Sequence, residues 1–211
     1  MNKNLSGLGW LVAGVMAMTM FASGFQAGQN KMAVVDMQRI LSESKAGKKV
    51  RDDMTVQVNL RQGLLEFVNL NKVITPEQAT KLESLTLKDS PTQADKDELE
   101  KLKTEIRNES KKFESLMQKP SLSDAERAEF NKLADLRRGS DALLNDWNQK
   151  FSQQLTNMQD DMLANVLKKA RDAAQGVGKK DGYTVIFPTT VAVYASNDIT
   201  DAAIKAVDES N

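Results

Sequence analysis

The two ends of this chain carry short β-type patterns, and a long, charged stretch of helical character separates them. Residues 32–37 read Met-Ala-Val-Val-Asp-Met, and two more apolar runs occupy residues 183–187 and 191–195. An isolated short strand leaves its backbone N–H and C=O groups without ladder partners. We therefore expect the two ends to meet in one small β layer, which the intervening residues leave and rejoin.

The intervening residues predict a long helical arm. Aromatic residues make up 5% of the chain and charged residues 27%, a composition that suits long solvated helices packed side by side better than one large core. The predicted fold class is α+β and mostly helical. Residues 25–37 and 181–211 form a small β body that includes a C-terminal helix, and residues 38–180 project from it as a helical hairpin.

Residues 1–24 are predicted to be a signal peptide. Lys3 supplies a positive start, residues 8–21 are apolar, and Ala22-Ser23-Gly24 offers the small residues that a signal peptidase prefers. A retained membrane anchor is the alternative, but the apolar run is short for a span, which needs about 20 residues. The chain is thus expected to be exported. Peripheral association with a membrane is compatible with the sequence, but a membrane-spanning helix is not expected.

Composition also argues against several kinds of chemistry. The chain has 29 basic and 29 acidic residues, with no His and no Cys. Disulfides, Ser-His-Asp catalysis and His-based zinc sites are therefore excluded. No phosphate-binding loop or nucleophile–base motif occurs in the sequence. We expect no enzyme activity, no cofactor, no metal and no nucleic-acid partner.

The acidic residues that could suggest a site have simpler interpretations. Asp36 follows an apolar strand and is expected to cap the next helix. The pairs Asp52-Asp53 and Asp160-Asp161 could be read as hard-cation ligands. Adjacent residues of a helix point in different directions, however, so solvated surface is the preferred interpretation of both pairs.

The arm is expected to be segmented. A first helix is predicted over residues 38–71, and three Pro-marked restarts follow at Thr75-Pro76, Ser90-Pro91 and Pro120-Ser121. A weak point at residues 137–141 is expected to start one last helix, which runs to about Gln175. Its apolar face is predicted to be helix–helix core, notably at Trp147, Phe151, Met158 and Met162. After it, Asn197 or Asp198 is expected to cap a final helix.

Two segments carry a resemblance to a known family. The first is Ala-Val-Val-Asp-Met-Gln-Arg-Ile-Leu at 33–41, continued by Ser-Glu-Ser-Lys-Ala-Gly-Lys-Lys at 42–49. The second is Gly-Tyr-Thr-Val-Ile-Phe at 182–187, followed by residues 192–195 and 198–200. In order and position, these segments are similar to the OmpH-like (Skp) family of periplasmic chaperones.

The resemblance implies a jellyfish-shaped homotrimer in the periplasm. Strands of three subunits would form the β body, and paired helices would enclose a cavity that holds unfolded outer-membrane proteins without nucleotide or metal. The chain departs from the family pattern in its near-neutral charge and its longer, Pro-segmented middle. The reversal of the arm is therefore placed only between Lys88 and Pro120.

The functional hypothesis is an ATP-independent holdase that prevents unfolded outer-membrane or envelope proteins from aggregating. The alternative is an envelope spacer or adaptor whose coiled-coil-like helices dock a partner. Candidate client-binding residues are Phe67, Phe113, Leu116, Met117, Phe130 and Leu136, which could instead seal one arm helix against another. Candidate residues of the trimer and β-body core are Val34, Val35, Val185, Ile186, Phe187, Val191 and Val193.

Overall fold

The structure is a computed structural model that describes residues 31–192 and 195–210. It is mostly helical with one small sheet, as expected from the sequence. The predicted signal peptide lies outside the described residues. In chain order the elements are β1 (Met32–Val35), α1 (Met37–Glu43), α2 (Lys45–Leu70), α3 (Pro76–Thr86), α4 (Gln93–Met117), α5 (Asp124–Asp181), β2 (Val185–Pro188) and α6 (Thr200–Glu209).

The chain divides into two compact units. The strand unit comprises the described residues up to Ser44 and from Lys169 onward, and the helical unit comprises Lys45–Lys168. The predicted domain boundaries, with the arm at residues 38–180, stay a prediction.

The strand unit joins the two ends of the chain. β1 and β2 are parallel, with Met32 opposite Val185 and Val35 opposite Pro188. On the other side of β1, the Val34 N–H donates to the Asn197 carbonyl at 2.9 Å. The expectation that the two ends meet in one β layer is confirmed.

The apolar run at residues 191–195 was expected to form a strand, but its first residues, Val191 and Ala192, form a turn instead. The N–H groups of Val191 and Ala192 both donate to the Pro188 carbonyl, at 2.9 and 3.1 Å. These bonds close a turn directly after β2, so Val191 leaves the sheet and is 71% exposed. Val193 lies outside the described residues. Val191 is therefore exposed in the protomer, and its assignment to the trimer and β-body core stays a prediction.

The first helix is capped as expected but is shorter than expected. The Asp36 carboxylate accepts the N–H groups of Gln38 and Arg39 at 2.9 and 3.0 Å, which confirms the predicted cap. Ser44 then takes an extended conformation (φ −65°, ψ 153°). It is fully buried, and it divides the predicted single helix into α1 and α2.

Three further helices begin at the predicted Pro-marked restarts. The Thr75 hydroxyl accepts the Gln78 N–H at 3.2 Å while the Gln78 amide oxygen accepts the Thr75 N–H at 3.0 Å. Thr92 and Asp95 form the same reciprocal pair before α4. Ser123 and Glu126 form it before α5. Each of these reciprocal pairs is a capping box, which satisfies N–H groups that a helix start leaves without internal partners.

The last long helix is longer at both ends than the sequence predicted. α5 passes through Gly139 without a break, and beside it the Ser140 hydroxyl lies within hydrogen-bonding distance of the Leu136 carbonyl, at 3.2 Å, and of the Lys72 carbonyl. The helix ends at Asp181, where Gly182 has φ +74°. The Tyr183 N–H closes this end on the Gly178 carbonyl at 2.9 Å, an arrangement of the Schellman type.

The helical unit is more than a two-helix hairpin. Arg61 of α2 contacts Gln154 of α5, and Lys72 contacts Asp141, so these helices run in opposite directions. The short helix α3 folds back along the unit, and its Glu83 pairs with Lys150 of α5 at 2.6 Å. The chain therefore turns three times, at residues 71–75, 87–92 and 118–123, where a single reversal was expected.

Candidate functional site

The predicted client-binding residues border two apolar clusters of the helical unit. The four-helix cluster draws buried residues from α2, α3, α4, α5 and the connection between α2 and α3, namely Leu64, Val68, Ile74, Ala79, Leu82, Leu102, Ile106, Trp147 and Phe151. The smaller outer cluster consists of Val73, Phe113, Leu116 and Leu133. Both clusters lie where helices contact one another.

Five of the six predicted client-binding side chains pack within the unit. Phe67 packs against the four-helix cluster, Phe113 and Leu116 belong to the outer cluster, and Phe130 and Leu136 pack against the outer cluster. Met117 differs, since it is 58% exposed. The assignment of all six residues as client contacts stays a prediction. The alternative, that these residues pack one helix against another, agrees with the position of all but Met117.

Aromatic and cationic groups fix several of these rings. Phe113 and Phe130 stack with ring centroids 5.1 Å apart and an interplanar angle of 11°. The Arg137 guanidinium carbon lies 5.5 Å from the Phe113 centroid, and that of Arg107 lies 5.4 Å from the Phe67 centroid. Such contacts add to the free energy gained by burial and hold the rings in place.

The turn before α5 is held by charge. The Lys119 ammonium and the Ser123 backbone and hydroxyl groups lower the pKa of Glu126 to about 2. Before α4, Lys88 and then Thr92 lower the pKa of Asp95 to about 2. Both carboxylates are half-buried at helix starts, where each accepts hydrogen bonds from the capping residue.

A buried arginine was missed by the sequence analysis. Arg61 is 6% exposed, and its N–H groups donate to Gln57 and Gln154 at distances of 2.6 to 3.3 Å. Burial lowers the pKa of its guanidinium below the ordinary value. The sequence signal for this buried group was a charged residue on the apolar face of α2. Its partner Gln154 lies far away in the sequence, so the pair could not be read from local spacing.

A groove between α2, α3 and α4 was also missed. Its cavity volume is about 250 Å³, and its lining includes Leu60, Gly63 and Phe67 of α2, Leu82 of α3 and Lys103 of α4. The glycine within a row of large apolar residues was the available sequence signal.

The predicted β-body residues divide by exposure. Val34 and Val35 are buried, at 5% and 4% exposure, and Ile186 and Phe187 are half-buried. Val185 is 39% exposed and lies opposite Met32, which is 48% exposed. One end of the small sheet thus presents apolar side chains to solvent.

The part of the chain that the structure describes shows neither a membrane-spanning helix nor a metal-binding cluster. Within residues 31–192 and 195–210, none of the helices combines the length and the apolar character needed to cross a membrane. The same residues contain no group of three or more Asp or Glu side chains placed to hold a metal ion.

Comparison with known proteins identifies the family. The family model described as "Outer membrane protein (OmpH-like)" matches residues 31–207. No curated protein matches the chain. The family match begins just before β1, includes the whole helical unit and ends within α6. Since it spans well over half of the sequence, the chain belongs to the OmpH-like family.

Proposed function

We propose that this protein is an ATP-independent holdase chaperone of the periplasm. It sequesters unfolded outer-membrane or other envelope proteins between helical arms and prevents their aggregation. The observation that carries the proposal is the family match over residues 31–207, which supports a periplasmic chaperone role toward outer-membrane proteins.

The side chains of the helical unit are suited to weak, adaptable binding. Residues 48–60 of α2 and 152–165 of α5 are all exposed or half-buried. Their half-buried residues include Met54, Met158 and Met162. Trp147 and Phe151 are buried as predicted for helix–helix core, whereas Met158 and Met162, for which the same was predicted, are only half-buried. Unbranched, polarisable methionines repack readily against different partners, which a holdase requires.

The active form is proposed to be a homotrimer assembled through the strand unit. Within the described residues, the pairing partner of β2 is β1, and the proposal is that the other edge of β2 pairs with another copy. Met32, Val185 and Val191 add exposed apolar surface nearby. An unpaired edge beside apolar side chains favours association between copies.

Selectivity for the unfolded state tests this function. The measurement is the affinity of the purified protein for several unrelated envelope proteins, each presented unfolded and native. A holdase binds several unfolded clients and ignores their native forms. Tight binding to one native partner, with no affinity for unfolded chains, would instead identify the spacer or adaptor.

A further inference from the structure

A groove with a volume of about 250 Å³ lies between α2, α3 and α4 of the helical unit, and its walls are largely apolar. Leu60, Leu64 and Phe67 contribute from α2, and Leu82 contributes from α3. Gly63 leaves space above α2, because a Cβ built at this position has no other atom within 4 Å.

The groove lies where the apolar side chains along one ridge of α2 change from buried to exposed. Val56, Leu60, Leu64 and Val68 form one row at four-residue spacing, which places them on one ridge of the helix. Val68 and Leu64 are 0% and 2% exposed, Leu60 is half-buried and Val56 is 54% exposed. Leu82 of α3 is fully buried in the cluster with Leu64 and Val68. An apolar group in the groove would extend this internal interface along the same ridge.

The charge of the groove favours an aromatic occupant. Among the described residues, Lys103 is the one charged residue of its lining, and its ammonium also pairs with Glu100, outside the lining, at 2.9 Å. The face of an aromatic ring is negative and is attracted to a cation. The same unit already pairs a cation with a ring at this location, where Arg107 lies over Phe67.

The size of the groove favours a single side chain over a whole small molecule. Pockets for small ligands commonly have volumes of about 300–1,000 Å³. Aromatic side chains combine a large apolar surface with few rotatable bonds, and they commonly act as anchors at interfaces.

We propose that this groove binds a phenylalanine, tyrosine or tryptophan side chain of an unfolded client. The inference rests on the proposed holdase function and gives it a preferred client chemistry. The groove holds one aromatic anchor while the rest of the client contacts the helices loosely. Transmembrane β-barrel strands carry aromatic girdles at both membrane interfaces, so they supply such side chains repeatedly.

The test fills the groove without damaging the helix. Gly63→Leu places a side chain into the open space, and leucine is a better helix former than glycine. Gly139→Leu is the matched control, because Gly139 also lies within a long helix with nothing within 4 Å of its Cβ position. Both variants add the same apolar side chain, and both are expected to raise the unfolding temperature.

Two fluorescent, unstructured peptides serve as probes, one with phenylalanines spaced by serines and glycines and one with leucines in their place. Wild type and Gly139→Leu are expected to bind the phenylalanine peptide more tightly than the leucine peptide. Gly63→Leu should lose affinity for the phenylalanine peptide by about tenfold, the order expected from losing the burial of one aromatic side chain.

Unchanged affinity of a folded Gly63→Leu variant would overturn the groove proposal, as would equal binding of both peptides by wild type. Suppression of aggregation of an unfolded β-barrel protein, measured with the same samples, separates this failure from that of the proposed function. Wild type that still suppresses aggregation retains the holdase function. Wild type that neither binds peptide nor suppresses aggregation contradicts both proposals.

Discussion

At the scale of single residues, the starts of α4 and α5 depend on ionised carboxylates. The pKa of Glu126 is lowered from 4.5 to about 2, first by Lys119 and then by Ser123. A carboxyl with a lower pKa in the folded state stabilises that state above its unfolded pKa. This contribution is lost as the pH falls through the folded pKa.

The lowered pKa of Glu126 predicts that the start of α5 becomes less stable at low pH. Between about pH 4.5 and about pH 2, the first turn of α5 loses the stabilising contribution of Glu126 and frays more readily. Glu126→Gln should remove most of this pH dependence, because its amide does not titrate. Amide hydrogen exchange at Arg127, whose N–H forms the first backbone bond of α5 with the Ser123 carbonyl at 2.9 Å, measures the effect, and identical pH profiles for variant and wild type would contradict it.

A second residue-scale prediction concerns Gly139. The sequence suggested a helix break at this position, but α5 is continuous and a Cβ at Gly139 meets no atom within 4 Å. Gly139→Ala should therefore raise the free energy of unfolding by about 0.5–1 kcal/mol. Urea denaturation measures this change, and a clear loss of stability would show that the position needs glycine.

The caps could be predicted from sequence and the continuity at Gly139 could not, for a physical reason. Asp36, Thr75 and Ser123 act on N–H groups within three residues of themselves, so their partners can be read locally. Ser140 bridges α5 to the carbonyl of Lys72. Sequence spacing alone does not show which distant backbone group will lie beside such a hydroxyl.

At the scale of elements, α3 is the part of the arm whose role is least evident from sequence. Its start at Pro76 was predicted from its capping residues, yet its eleven residues were not expected to fold back. In the folded-back position α3 forms ion pairs with distant helices, Glu83 with Lys150 and Lys81 with Glu98. Leu82, fully buried, anchors α3 in the four-helix cluster.

Truncating Leu82 tests the anchoring of α3. Leu82→Ala should lower the free energy of unfolding by about 2–5 kcal/mol, because it leaves a cavity among four helices. Hydrogen exchange should accelerate first in α3. Leu70→Ala is the control, since Leu70 is 79% exposed and its truncation should change stability by less than about 0.5 kcal/mol. Equal effects of the two substitutions would contradict this account of the packing.

At the scale of the whole molecule, the strand unit is where copies are proposed to associate. The sequence predicted that the chain ends meet, because a short strand requires a partner, and β1 does pair with β2. It could not define the outer surface of the sheet. The turn at Pro188 directs Val191 away from the sheet, and the exposure of Val185 depends on strand register.

Val185→Asp tests the proposed trimer. A carboxylate on the exposed side of β2 should shift the mass measured by size-exclusion chromatography with light scattering from trimer toward monomer. Val58→Asp is the control, because Val58 of α2 has nearly the same exposure, 40% against 39%. Circular dichroism checks that both variants fold. A monomeric wild type, or a trimer that Val185→Asp leaves intact, would contradict assembly through this surface.

The central claim is that this member of the OmpH-like family keeps unfolded envelope proteins soluble without a nucleotide. The most direct measurement is light scattering after an unfolded outer-membrane β-barrel protein is diluted from urea into buffer that contains this protein and no ATP. The account predicts that scattering falls as the concentration of this protein rises and is abolished at molar excess of the assembled form. Aggregation that proceeds unchanged at that excess would contradict it.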